Sequence, residues 1–279
     1  MSTISITGLV ASQNHLQTIS SNVANANTDG FKLQTAKFAS MFGAEGGVAT
    51  GLGVRNLNDV TDFSQGSLRS TGKDLDLAMS GRGFFVTLAP TSTTGSQSGT
   101  VAGSAIDTNV RLTRNGSFKL DKDGYIVDLA GRKLAVQGTT AGNVEPARVE
   151  LSKPVGSPAT STLSYSRIEV RDNGEIFAIY DNNSSTAIGK VAVANMQDTS
   201  KLKPENGAQF SYSGSEETPV ISTSGDKGRG TVLAGALEGS NVNLTEQLVE
   251  MITAQRNYQA NAKGVSAADA LAQTIINLR

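Results

Sequence analysis

The chain has 279 residues, with 24 Lys+Arg against 25 Asp+Glu, one His, no Cys and no Trp. Balanced charge provides neither a basic face for nucleic acid nor a charged tail. The absence of Cys excludes disulfide frameworks, thiolate metal sites and Cys nucleophiles, and a single His excludes a multi-His metal site. No apolar run approaches the ~20 residues that span a bilayer, so direct membrane insertion is not expected. The opening Met1-Ser2-Thr3-Ile4 has no basic or apolar character of the kind a cleaved secretory signal needs. A hydrophobic fraction of 38% with 30 Gly fits a subunit that gains burial from its neighbours.

Residues 4–24 read as an amphipathic helix. Leu9, Leu16 and Val23 recur every seven residues, Ile19 follows Leu16 by three, and Ile6 extends the same side. Ser12, Gln13 and Ser20 dilute this stripe, and Gly8 weakens the helix by about 1 kcal/mol relative to Ala. Such a helix is marginal alone and needs a partner. It stops at Asn25-Ala26-Asn27-Thr28-Asp29-Gly30, where Gly30 supplies a positive φ. Phe31 is expected to swing back against the helices, with Lys32 solvated or paired to an acidic neighbour.

Residues 31–70, broken by Gly43, Gly46, Gly47, Gly51 and Gly53, read as an extended connector with short strands. Residues 71–239 read as a β-rich body. Asp74–Met79 has a period-two pattern, followed by a turn at Ser80–Gly83 and by Phe84-Phe85-Val86. Residues 91–105 are a Ser/Thr/Gly loop. Hairpin turns are expected at Asn115-Gly116, between Arg111–Arg114 and Ser117–Leu120, at Asp121–Gly124, and at Arg171–Gly174.

The last segment opens at Asn243, a helix cap with Glu246 closing a capping box. Its stripe runs Leu244, Leu248, Met251, Gln255, Tyr258, Ala262, Val265, Asp269, Ala272, Ile276, and a second ridge of Ile252, Leu271, Ile275 and Leu278 widens the apolar face. The fold class is therefore α+β: residues 1–30 and 240–279 form a coiled-coil-like helical domain, 31–70 a connector, and 71–239 a discontinuous, hairpin-rich β domain. No third long helix completes a bundle, so the helices pack on each other and on those of neighbouring subunits. The assembly positions are Leu9, Leu16, Ile19, Val23, Asn25, Gly30, Phe31, Leu244, Leu248, Met251, Tyr258, Val265 and Ile276.

Fragments with catalytic overtones do not hold together. Asp121-Lys122-Asp123-Gly124 resembles the start of a calcium loop, but Arg132 stands where the bidentate Glu belongs. Gly81-Arg82-Gly83 lacks the Gly-Lys-Ser/Thr of a phosphate loop. His15 lies off the apolar stripe, as a polar helix-surface residue. No enzymatic constellation, metal or cofactor is expected.

The segment Ser20-Ser21-Asn22-Val23-Ala24-Asn25-Ala26-Asn27-Thr28-Asp29-Gly30-Phe31-Lys32 resembles the N-terminal signature of bacterial flagellar rod and hook proteins, S-x-N-[IVL]-A-N-x-x-T-x-G-F-K. Leu237-Glu238-Gly239-Ser240-Asn241-Val242-Asn243 and Gln255-Arg256-Asn257-Tyr258-Gln259-Ala260-Asn261 are similar to its C-terminal patterns. Leu75-Asp76-Leu77-Ala78, Gly81–Phe85 and Thr113-Arg114-Asn115-Gly116-Ser117-Phe118 match in the middle. The resemblance implies a non-enzymatic subunit of the flagellar hook–basal body, outside the cytoplasm, which self-assembles into a helical tube and transmits torque. It also implies adjacent rod or hook-junction proteins as partners and delivery by the flagellar type III export apparatus. The ending Ile275-Ile276-Asn277-Leu278-Arg279 and the opening Gly8-Leu9-Val10-Ala11-Ser12-Gln13 resemble a hook protein, whereas the length suits a rod subunit. The rival class is a β-rich surface-binding protein with helical anchors, but neither a Trp platform nor a carboxylate pair supports it.

Overall fold

Two long helices bracket a chain of short strands, as their sequence patterns require. The computed structural model describes residues 2–45, 48–90, 99–100, 110–137, 143–155, 161–171, 173–212, 220–223 and 230–277. Most of the 91–105 loop and Leu278 lie outside these residues. Helix α1 spans Ser2–Ala24 and α2 spans Leu244–Asn277. Asn243 caps α2 by accepting the Thr245 N–H at 3.1 Å. The fold is α+β.

The chain divides into two units. The first holds Met1–Asn27, Lys32–Ser64 and Asn241–Arg279; the second holds Thr28–Phe31 and Gln65–Ser240. The stretch read as a connector is thus shared: residues 32–64 group with the helices and 65–70 with the β body. Within the first unit an antiparallel hairpin pairs Phe38–Glu45 with Val48–Asn56. Its second strand lies against α1, where the Val54 N–H donates to the Thr7 hydroxyl at 3.3 Å. A short pair, Gln34–Thr35 with Val60–Thr61, closes the base.

In the second unit the largest sheet runs Lys119–Leu120, Ile126–Val127, Lys133–Gln137, Phe84–Leu88, Val110–Thr113, Gln209–Tyr212, Leu202–Glu205, with every neighbouring pair antiparallel. A four-stranded sheet follows from Ser152–Val155, Ser161–Val170, Glu175–Tyr180 and Ser185–Lys190. The chain closes on itself where Thr231–Ala234 pairs with Leu77–Ser80 and Ala236–Glu238 with Leu68–Ser70. The core collects Leu77, Met79, Phe85, Leu134, Ile176 and Val232, all at most 1% exposed. Phe118 meets Phe85 edge-on at 5.8 Å. Tyr180 is buried, donates its hydroxyl to the Glu150 carbonyl at 3.1 Å, and its phenol is pushed up by burial.

The turn at Asp121–Gly124 forms as expected, joining Lys119–Leu120 to Ile126–Val127. The Asn115-Gly116 turn does not. Val110–Thr113 pairs with Phe84–Leu88 and Gln209–Tyr212 instead of folding back on Ser117–Leu120. The physical reason is a close backbone approach: the Gly116 carbonyl accepts the Leu77 N–H at 3.0 Å, and a Cβ on Gly116 would overlap the Leu77 carbonyl. At Arg171–Gly174 the Gly174 N–H returns to the Arg171 carbonyl at 2.8 Å, with Asp172 outside the described residues. Leu77–Met79 is buried on both faces, so its strand does not alternate as its sequence suggests.

Candidate assembly site

The two helices pack antiparallel through small and polar residues. Ser5 faces Gly264, Gly8 faces Asn261, and Asn22 faces Gln247. Asn261 donates to the Ser12 hydroxyl at 3.1 Å. At Gly8 an added Cβ would stand 3.2 Å from the Asn261 amide, so this glycine admits the partner helix. Gln247, Ala254 and Asn261 thus form the α2 side of the contact at seven-residue spacing, with Gln247 and Ala254 buried.

Met251 and Val265 are half-buried, but Leu244, Leu248, Tyr258 and Ile276 are 41%, 49%, 37% and 72% exposed. The ridge of Ile252, Leu271 and Ile275 also faces outward. On α1, Ile19 is buried, and Leu9, Leu16 and Val23 are half-buried, whereas Ile6 is exposed. An apolar-stripe search finds the outward ridge of α2 and misses its inward seam, because a seam closed by hydrogen bonds between small and polar side chains carries no hydrophobic period. The Gln247–Ala254–Asn261 heptad, with Gln247 opposite Asn22 and Asn261 opposite Gly8 and Ser12, is the available signal.

Asn22 is the centre of this contact. Its Oδ1 accepts the Gln34 N–H at 3.0 Å, and its Nδ2 donates to the Gln34 carbonyl at 2.7 Å and to Gln247 Oε1 at 2.9 Å. Gln247 Nε2 donates onward to Glu250 at 3.2 Å, and His15 Nε2 lies 3.1 Å from the other Glu250 oxygen. His15 is half-buried, with its ring 5.9 Å from Phe38, and so is more enclosed than a surface position implies. Asn22→Ala removes this amide from the buried Gln247 Oε1 and from the half-buried Gln34 N–H and carbonyl, and is expected to destabilise the first unit by about 1–3 kcal/mol. Denaturant unfolding followed by helical circular dichroism measures it.

The turn after α1 brings the sequence signatures together. Asn25 donates from Nδ2 to the Ser21 carbonyl at 2.9 Å, closing the last helical turn. Gly30 has φ +73° and donates its N–H to the Glu238 carbonyl at 2.7 Å. Phe31 is half-buried and groups with the second unit. Lys32 is buried and not solvated: its Nζ donates to the Ser64 carbonyl at 2.7 Å.

Glu238 and Arg114, from the Leu237–Asn243 and Thr113–Phe118 motifs, form a buried ion pair at 3.0 Å. The Arg114 guanidinium also sits 5.2 Å from the Phe84 ring, and its Nε has no hydrogen-bond partner among the described residues. Nothing in the spacing of these motifs predicts the pairing. Asn241 accepts the Leu33 N–H at 2.7 Å and donates to the Asp62 and Ser64 carbonyls. Among the described residues no group of three or more His, Asp or Glu could hold a metal ion. Among the described residues no helix is long and apolar enough to cross a membrane.

Residues 3–32 match the family described as flagella basal body rod protein, and residues 233–278 match the flagellar basal body rod FlgEFG protein C-terminal family. The flagellar basal-body rod protein FlgG of Buchnera aphidicola subsp. Baizongia pistaciae (strain Bp) is 30% identical over 289 residues, covering 98% of this chain and 96% of that protein. The chain belongs to the flagellar rod and hook protein family. FlgG of Bacillus subtilis (strain 168) is 29% identical, with 98% and 97% coverage. The flagellar hook protein FlgE of Escherichia coli (strain K12) is 25% identical, with 98% coverage of each, over an alignment of 417 residues. More than a hundred positions of that hook protein therefore have no counterpart among these 279 residues. As a family member the chain is a structural protein of the flagellum, outside the cytoplasm, and not an enzyme.

Proposed function

We propose that this chain is a hook-type subunit that polymerises into a helical tube and transmits torque, with its helical unit supplying the subunit contacts. One observation carries the polymerisation. Of the large hydrophobic side chains exposed among the described residues, all but Leu68, Leu129 and Leu151 lie in the first unit. A unit with an apolar exterior of this extent gains stability when copies cover it. The β unit buries its own core and has no comparable need. Copies of the same chain, adjacent rod or hook-junction proteins, and the type III export apparatus are the partners this reading entails.

The opening Gly8–Gln13 and the ending Ile275–Arg279 favour the hook. The near end-to-end length match with FlgG rod proteins favours a second reading, a rod subunit. Immunogold labelling of isolated hook–basal bodies separates the two. Label on the curved segment beyond the outer rings is expected for the hook, and label confined to the axis within the rings assigns the rod. A purified chain that remains monomeric at high concentration, with no label on either segment, would overturn both.

A further inference from the structure

The Leu237–Asn241 segment carries two polar side chains three residues apart, and each bonds backbone remote from it in sequence. Glu238 is fully buried in the second unit. Its Oε1 accepts the Gly66 N–H at 2.9 Å, its Oε2 accepts from Arg114 at 3.0 Å, and its own carbonyl accepts the Gly30 N–H at 2.7 Å. Asn241 belongs to the first unit. Its Oδ1 accepts the Leu33 N–H at 2.7 Å, and its Nδ2 donates to the carbonyls of Asp62 and Ser64 at 3.0 and 3.3 Å and to the Ser64 hydroxyl at 3.0 Å.

The chain passes from one unit to the other four times, after residues 27, 31, 64 and 240. Glu238 therefore holds residues 30 and 66 inside one unit, and Asn241 holds residues 33 and 62–64 inside the other. Both hold the same three stretches of chain, each at the end that lies in its own unit. We propose that the Leu237–Asn241 motif is a double pin, in which Glu238 and Asn241 are positioning residues that separately fix these chain segments, each within its own unit. A buried ion pair is a poor source of net stability, because desolvation offsets its attraction, and setting register is its best-attested use. Asn241 acts as a bifunctional amide: its acceptor takes one segment and its donors take another, so no other side chain of similar size replaces it.

The test is amide hydrogen exchange on the full-length monomer, read at the Gly66 and Leu33 N–H groups. Losing a side-chain acceptor should speed exchange of the bonded amide about tenfold. In Arg114→Met/Glu238→Ala, which leaves no buried charge behind, Gly66 should exchange faster and Leu33 should be unchanged. Glu238→Gln in the same Arg114→Met background restores an acceptor and should return Gly66 to slow exchange, which a space-filling role would not require. In Asn241→Ala, Leu33 should accelerate and Gly66 should not. If the Glu238 variants fail to fold, the Asn241 variant decides alone. Both amides changing together, or Leu33 unmoved in Asn241→Ala, would overturn the double pin. The readout is taken on the monomer, so it stands whether or not the chain is a hook subunit.

Discussion

Gly30→Ala should destabilise the β unit by about 3 kcal/mol or more, a large effect for adding one methyl group. Two costs combine. A non-glycine residue at φ +73° costs about 1–2 kcal/mol on its own. In addition, the new Cβ would overlap the Asn115 N–H and stand 2.5 Å from the Asn115 Cα and 2.7 Å from the Arg114 carbonyl carbon. Those neighbours are backbone and cannot rotate away. Relief requires moving Gly30, which breaks its 2.7 Å hydrogen bond to Glu238, or moving Arg114 out of its buried ion pair. The control is Gly131→Ala: Gly131 has φ +79° with nothing within 4 Å of an added Cβ, so only the backbone cost applies. Denaturant midpoints of the two variants measure the difference. Equal loss in both would show that the Asn115 contact carries no energy. The positive φ alone places the strain at the helix exit; the contact with Asn115 extends it to the rest of the β unit.

Substituting the outward ridge of α2 should abolish polymerisation and leave the monomer intact. Ile252 and Ile275 are 51% and 69% exposed, so Ile252→Asp/Ile275→Asp is expected to change monomer stability by less than about 0.5 kcal/mol at each site. In a polymer each buried isoleucine contributes about 1.5–3 kcal/mol, and the loss of two raises the critical concentration about a hundredfold or more. Sedimentation and negative-stain imaging across a concentration series provide the readout. Removing everything after Tyr258 should act in the same direction, because Leu271, Ile275 and Ile276 go together. Tubes of normal length at the wild-type concentration would show that the ridge is not an interface. Gln247→Leu is the contrasting case. Gln247 is 5% exposed and bonded to Asn22, so its loss should weaken the monomer first.

Much of the architecture is legible in the residues themselves. Heptad spacing and an Asn243 cap are local properties, so α1 and α2 can be read directly. The positive φ of Gly30 and the Asp121–Gly124 turn are also local, because a turn is determined within four residues. The absence of Cys and of a second His excludes disulfides, Cys nucleophiles, thiolate metal sites and multi-His metal sites. What only the tertiary structure decided is which face of each element meets what. The apolar stripe of α2 points outward because its inward seam closes with Asn22, Gln247 and Asn261, and hydrogen-bonding seams leave no period in hydrophobicity. Asn115-Gly116 reads as a hairpin but serves a close approach to Leu77, since a glycine permits either and the neighbour that requires it lies almost forty residues away. The burial of Lys32 and the Arg114–Glu238 pair likewise depend on segments brought together from 32 and 124 residues apart in the chain. Local sequence sets backbone preference, whereas partner choice across long loops is settled by packing, where each buried charge or amide must find its complement.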